Sequence, residues 1–90
     1  SVHSYPVPLA GRIQKYPLPT RGKVVGINPV NGAVCVQYQE GPTEVPHTLY
    51  VQIVHETYDA RVADWDHAGL FVPDGCERTV SVYTKMEASR

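Results

Sequence analysis

The sequence predicts a mainly β domain, a small five-stranded barrel or bent antiparallel sheet with one short helix at about residues 60–68. Three observations carry that expectation. Asn31-Gly32 stands between two runs rich in β-branched residues, the strongest short-range hairpin signal a sequence offers. Apolar residues recur with period two from Gly22 onward. The pattern breaks at Asp59–Gly69, where a helix N-cap and a C′ glycine frame Val62 and Trp65 at helical spacing. The alternative is an α+β arrangement with that helix packed on one sheet face.

Ninety residues suit a single domain with one modest core. The expected organisation is a Pro-rich extended arm over 1–20, a β-rich domain over 21–85 and a frayed tail over 86–90. In the arm, Tyr5-Pro-Val-Pro-Leu9 and Tyr16-Pro-Leu-Pro-Thr20 repeat a similar piece. Proline lacks the amide donor and keeps its neighbour extended, so these pieces favour polyproline II or edge-strand geometry. Gly11-Arg-Ile-Gln-Lys15 between them can form a strand. Tyr5, Leu9, Ile13, Tyr16 and Leu18 are the side chains that would pack the arm on its own domain. Docking on a neighbouring subunit is the other reading, because extended Pro-rich segments bind at low entropic cost.

The first hairpin strand is Gly22–Asn28 and the second is Ala33–Gln39. In the second, Val34, Val36 and Tyr38 share one face and Ala33, Cys35 and Gln37 the other. Neither face is strongly polar, which predicts a central strand. Gly41-Pro42 punctuates a turn. The next strand falls within Val45–Tyr58, with Leu49, Val51 and Ile53 facing one way and Tyr50, Gln52, Val54, Glu56 and Tyr58 the other. Within the expected helix, Asp64 and Asp66 sit in the C-terminal half, where the dipole disfavours acids; a loop with one helical turn is the alternative there. Leu70-Phe71-Val72 is a short apolar run and Pro73-Asp-Gly75 a turn. The last strand is Arg78–Thr84, with Val80 and Val82 inward and Thr79, Ser81 and Tyr83 outward.

Gly22-Lys-Val-Val and Gly32-Ala-Val-Cys-Val36 resemble the opening hairpin of SH3-like barrels, including the KOW type of ribosome- and transcription-associated proteins. The resemblance spans about fifteen residues and implies a small barrel. Asn28-Pro-Val-Asn31 departs from it, because the basic turn that such modules use on RNA is missing. No functional residue is carried over.

The charge balance narrows the function. Charged residues make up 19% of the chain, below the roughly 25% typical of soluble domains. Net charge is −1, which disfavours strong non-specific nucleic-acid binding and opposes self-association little. No stretch approaches the ~18 apolar residues of a membrane span. Neither does any segment show the n-region and h-region of a signal peptide. The chain begins at Ser1, which leaves room for a removed leader. Cys35 and Cys76 read as reduced thiols of a cytoplasmic protein, although two cysteines also permit one disulfide.

No motif of high catalytic or ligand specificity is present. The histidines, His3, His47, His55 and His67, lack the paired spacing of metal ligands, so neither a metal nor another cofactor is expected. Asp64-Trp65-Asp66-His67 is the densest polar cluster. It reads either as Trp65 anchoring the core between two solvated aspartates or as a small-ligand pocket in which acids flank an indole. Six tyrosines are many for this length, and Tyr50, Tyr58 and Tyr83 fall on outward faces. Tyrosine is enriched at interfaces. A nucleobase-stacking platform would also need basic residues beside the rings.

The expected function is therefore a non-catalytic binding or assembly module. It would act on another copy or a protein partner through the tyrosine face and the arm. A small-ligand binder or minor enzyme at Asp64–His67 is the alternative, with a weak SH3-like nucleic-acid module behind it. The small size and single domain also suit a phage or mobile-element accessory protein.

Overall fold

The computed structural model describes residues 2–30, 33–55 and 59–89. Seven strands form two antiparallel sheets. The strands are β1 (Val2–Val7), β2 (Gln14–Leu18), β3 (Lys23–Val30), β4 (Ala33–Gln39), β5 (His47–Val54), β6 (Asp66–Phe71) and β7 (Val80–Ala88). One sheet has the order β1-β4-β3 and the other β2-β5-β7-β6. The mainly β class and the antiparallel pairing are as the period-two pattern requires. The closed barrel is corrected to two open sheets, because neither seam between them carries a ladder of backbone hydrogen bonds.

Proline placement accounts for much of this. Pro6, Pro17 and Pro29 lie in β1, β2 and β3, each an edge strand. An edge strand tolerates a missing amide donor, whereas a closed barrel would require it to pair on both sides. The N-terminal twenty residues, expected as an arm, thus supply one edge to each sheet. β1 pairs with β4 in the register Tyr5↔Val36 and Val7↔Val34. β2 pairs with β5 in the register Tyr16↔Leu49 and Leu18↔His47. Leu18 is buried and Tyr5 and Tyr16 are half-buried against the core, while Leu9 and Ile13 stay exposed.

The two sheets face each other over one core. Val7, Val34, Val36 and Tyr38 enter from the three-stranded sheet, and Leu18, Leu49, Val51, Ile53, Phe71, Val80 and Val82 from the four-stranded one. The alternation in β4 and β5 thus divides inner from outer residues as the sequence indicates. β4 is central in its sheet. β3 and β4 pair from Lys23↔Gln39 to Val30↔Ala33; the Asn31-Gly32 turn that predicted them lies outside the described residues.

The helix expected at 60–68 is a single 3-10 turn, Ala60–Val62, and the chain enters β6 at Asp66. Asp59 does cap it, accepting a hydrogen bond from the Arg61 amide at 2.9 Å. The two aspartates explain the early stop: a longer helix would place Asp64 and Asp66 at the negative end of its dipole. No α-helix is therefore available to pack on a sheet face among the described residues, and the α+β alternative falls. β7 also runs past the expected end at Thr84 to Ala88, because Met86 continues the inward alternation and packs on the core.

The two seams are closed differently. On the β1/β2 side, the Tyr16 hydroxyl donates to the Pro6 carbonyl at 2.8 Å. The Tyr5 ring lies between those of Tyr16 and Tyr38, with centroids 5.7 and 6.2 Å away. On the β3/β6 side, Ile27 covers Gly69 so closely that a Cβ there would meet Ile27 carbons at 2.9 Å. Beyond that contact both edges are irregular, with register shifts between Val24 and Gly26 in β3 and between His67 and Gly69 in β6. Bulges bend and twist an edge. Here the seam opens into a cleft.

Candidate functional site

The outer face of the four-stranded sheet carries the densest exposed chemistry. Its rows follow from register. Tyr50 lies opposite Lys15 of β2 and Lys85 of β7. Tyr83 lies opposite Gln52 of β5 and His67 of β6. Because side chains alternate, Lys15, Tyr50 and Lys85 form one row and Gln52, Tyr83 and His67 the next.

These rows carry contacts. The Trp65 ring meets Tyr50 edge-on with centroids 6.4 Å apart. His67 and Tyr83 lie 5.0 Å apart and tilted by 55°. The Lys15 ammonium sits 5.8 Å from the Tyr50 ring centroid, within cation–π reach. Lys85 pairs with Glu87 at 2.8 Å, and that hydrogen bond and charge, with Asp64 contributing less, hold its ammonium above its ordinary pKa. The structure thus joins two groups that the sequence kept apart: the tyrosine face and the Asp64–His67 cluster are one aromatic surface. Trp65 is half-buried on Tyr50, outside the main core, while Asp64, Asp66 and His67 are exposed. Tyr50 and Tyr83 are half-buried by these neighbours rather than fully exposed. Tyr58 and Glu56 lie outside the described residues.

The same face is covered at its other end. Gln52 is fully buried there, and its Nε2 donates to the Gly11 carbonyl at 3.1 Å and the Ile53 carbonyl at 2.9 Å. Val54 and Val62 are buried as well. The 3-10 turn and the loop at Gly11 therefore roof that end: Arg61 binds Asp59 through two nitrogens and reaches the Gly11 carbonyl at 3.5 Å. The Asp59 carboxyl is held below its usual pKa by those Arg61 hydrogen bonds. Among the described residues, the part of the sheet without such a roof is consequently the aromatic half.

Lys15 and Lys85 were missed by sequence reasoning because one lay in the expected arm and the other just past the expected last strand, Arg78–Thr84. The alternation Tyr83, Lys85, Glu87 was the available signal for the second. Cys35 and Cys76 are free thiols, the first half-buried in β4 and the second exposed. Among the described residues, no three His, Cys, Asp or Glu side chains are grouped as metal ligands, and no helix is long and apolar enough to cross a membrane. Compared with known proteins, the chain matches no family model, no curated protein and no solved structure.

Proposed function

We propose that this chain is a non-catalytic assembly module whose four-stranded sheet packs its aromatic outer face against a second copy. The observation that carries the reading is the aromatic pair of pairs, Trp65 on Tyr50 and His67 on Tyr83, on the half of the sheet that the described residues leave uncovered. Aromatic side chains dominate the centres of interfaces, with charged groups at the rim. The rim here carries both signs, Lys15 and Lys85 against Asp64 and Glu87. A two-fold axis brings residue i of one copy onto residue j of the other and the reverse, so a mixed rim is self-complementary. The low net charge opposes such pairing little. Free thiols suit a reducing compartment, which supports a cytoplasmic setting.

Light scattering on size-exclusion fractions tests the reading. The wild-type chain is expected at a multiple of 10.0 kDa, and Tyr50→Ala with Tyr83→Ala at the monomer mass with its fold retained. A wild-type monomer at millimolar concentration overturns it. Stacking of single-stranded nucleic acid is the second reading, favoured by Lys15 over the Tyr50 ring. It predicts a raised 260 nm absorbance in the same fractions or salt-dependent binding of an oligonucleotide. Asp64 and Glu87 on the same rim weigh against it.

A further inference from the structure

The open end of the β3/β6 seam is a cleft of about 690 Å³. Its walls are the bulged edges of β3 and β6, and its floor is the inner face of β5 and β7. The volume lies within the ~300–1,000 Å³ of small-molecule sites. Half-buried Met86 gives the floor an apolar surface over the buried Leu49, and Val24 and Ala68 extend it onto the walls. Two polar side chains are sunk beside them, Thr84 at 3% and His47 at 9% exposure. His47 Nδ1 lies 2.7 Å from the Val45 carbonyl. A carbonyl only accepts, so Nδ1 carries the hydrogen and Nε2 is the nitrogen left for another partner.

The mouth of the cleft is basic. Arg21 and Lys23 stand on its β3 side, both exposed, and neither has an ion-pair partner among the described residues. On the opposite side Lys85 is already paired with Glu87, and Asp66 is the acid among the described lining residues. In a protein of net charge −1, two unpaired cations at the rim of an apolar-floored cleft form a local positive field. An anionic group at Arg21 would gain a planar, bidentate donor, and an apolar body behind it would cover Met86, Val24 and Ala68.

We propose that this cleft binds a small organic anion with an apolar body, its acidic head held by Arg21 and Lys23 and its body laid on Met86, Val24 and Ala68. The cleft shares His67 and Lys85 with the border of the aromatic face, but the residues proposed to hold the ligand, Arg21, Lys23, Val24, Ala68 and Met86, are separate from Tyr50 and Tyr83 on the other side of the same sheet.

The probe is 8-anilinonaphthalene-1-sulfonate, which has an anionic head and an aromatic body. Its fluorescence is titrated against the folded chain, with near-UV circular dichroism confirming the fold of each variant. One saturable site per chain is expected. Affinity should fall at least fivefold in Arg21→Gln with Lys23→Gln, fall with added salt, and hold in Tyr50→Ala with Tyr83→Ala. Arg21 and Lys23 are exposed, so their substitution leaves the core intact. Absence of saturable binding overturns the proposal, as does equal affinity in the Arg21/Lys23 variant. A loss confined to the Tyr50/Tyr83 variant also overturns it by assigning the dye to the aromatic face.

Discussion

The hydroxyl of Tyr38 donates to the backbone carbonyl of Thr20 at 2.6 Å, and the Thr20 hydroxyl lies 2.9 Å from the Tyr38 hydroxyl oxygen. Tyr38 is fully buried. Thr20 Oγ1 also accepts from the Gly41 amide at 3.3 Å. One phenol thus ties the β2–β3 connection to the end of β4, at the point where the chain passes from one sheet to the other. Tyr38→Phe keeps the ring and removes the hydroxyl, leaving the Thr20 carbonyl buried without this donor. Leaving a buried polar group unsatisfied costs about 1–3 kcal/mol. Urea denaturation should show a loss in that range with an unchanged m-value.

The same corner is closed by two glycines. A Cβ at Gly41 would collide with the Arg21 carbonyl, and one at Gly22 with the Gln39 carbonyl. Both obstacles are backbone, which cannot swing aside. Gly41→Ala and Gly22→Ala should each destabilise by about 1–3 kcal/mol or more, the cost of overpacking. Gly26→Ala is the control, because nothing lies within 4 Å of a Cβ there. Its unfolding midpoint should stay within a few tenths of a kcal/mol of wild type.

Period-two alternation made the inner faces of β4 and β5 readable, because each strand buries one face against the opposite sheet. Val34, Val36, Tyr38, Leu49, Val51 and Ile53 are all core residues. The closure of the fold was not readable in the same way. Whether two edges pair depends on long-range geometry, here the bulges at Val24/Gly26 and His67/Gly69, which leave no local pattern. The prolines of residues 1–20 fitted polyproline II or an edge strand equally well, and only the pairing of β1 with β4 and of β2 with β5, which leaves no local pattern, decides for the strand. Asp64–His67 looked helical because Val62 and Trp65 are three apart. Acids at the dipole's negative end and a strand partner in β7 settled the conflict against the helix. Neither Tyr50 with Trp65 nor Tyr83 with His67 is a sequence neighbour pair, so the aromatic surface exists only once β5, β6 and β7 are side by side.

Gly69 and Ile27 should be energetically coupled. A Cβ at Gly69 would press on Ile27 Cδ1 and Cγ1 at 2.9 Å, the movable end of a side chain. Gly69→Ala should therefore destabilise by about 1–2 kcal/mol, less than the backbone clashes at Gly22 and Gly41. Ile27→Val typically costs about 0.5–1.5 kcal/mol at a buried site. Ile27→Val removes Cδ1, so the double variant should lose less than the sum of the singles. A double-mutant cycle by chemical denaturation reads the difference, and strict additivity would show that the seam yields there.

Alkaline pH should weaken the β1/β2 seam. Burial pushes the Tyr5 and Tyr16 phenols above their ordinary pKa of 10.0, with Tyr38 and Glu40 adding to the rise at Tyr5. A raised folded-state pKa means that the native chain holds its protons more tightly than the unfolded chain. The stability linked to these groups is complete below pH 10 and is lost as pH rises through the folded values. Absorbance at 295 nm should show a fraction of the six tyrosines ionising late. Tyr16→Phe removes one late titration and the hydroxyl that donates to Pro6, so it should lower stability at neutral pH and flatten the decline above pH 10. A decline as steep as wild type would place the linkage elsewhere in the fold.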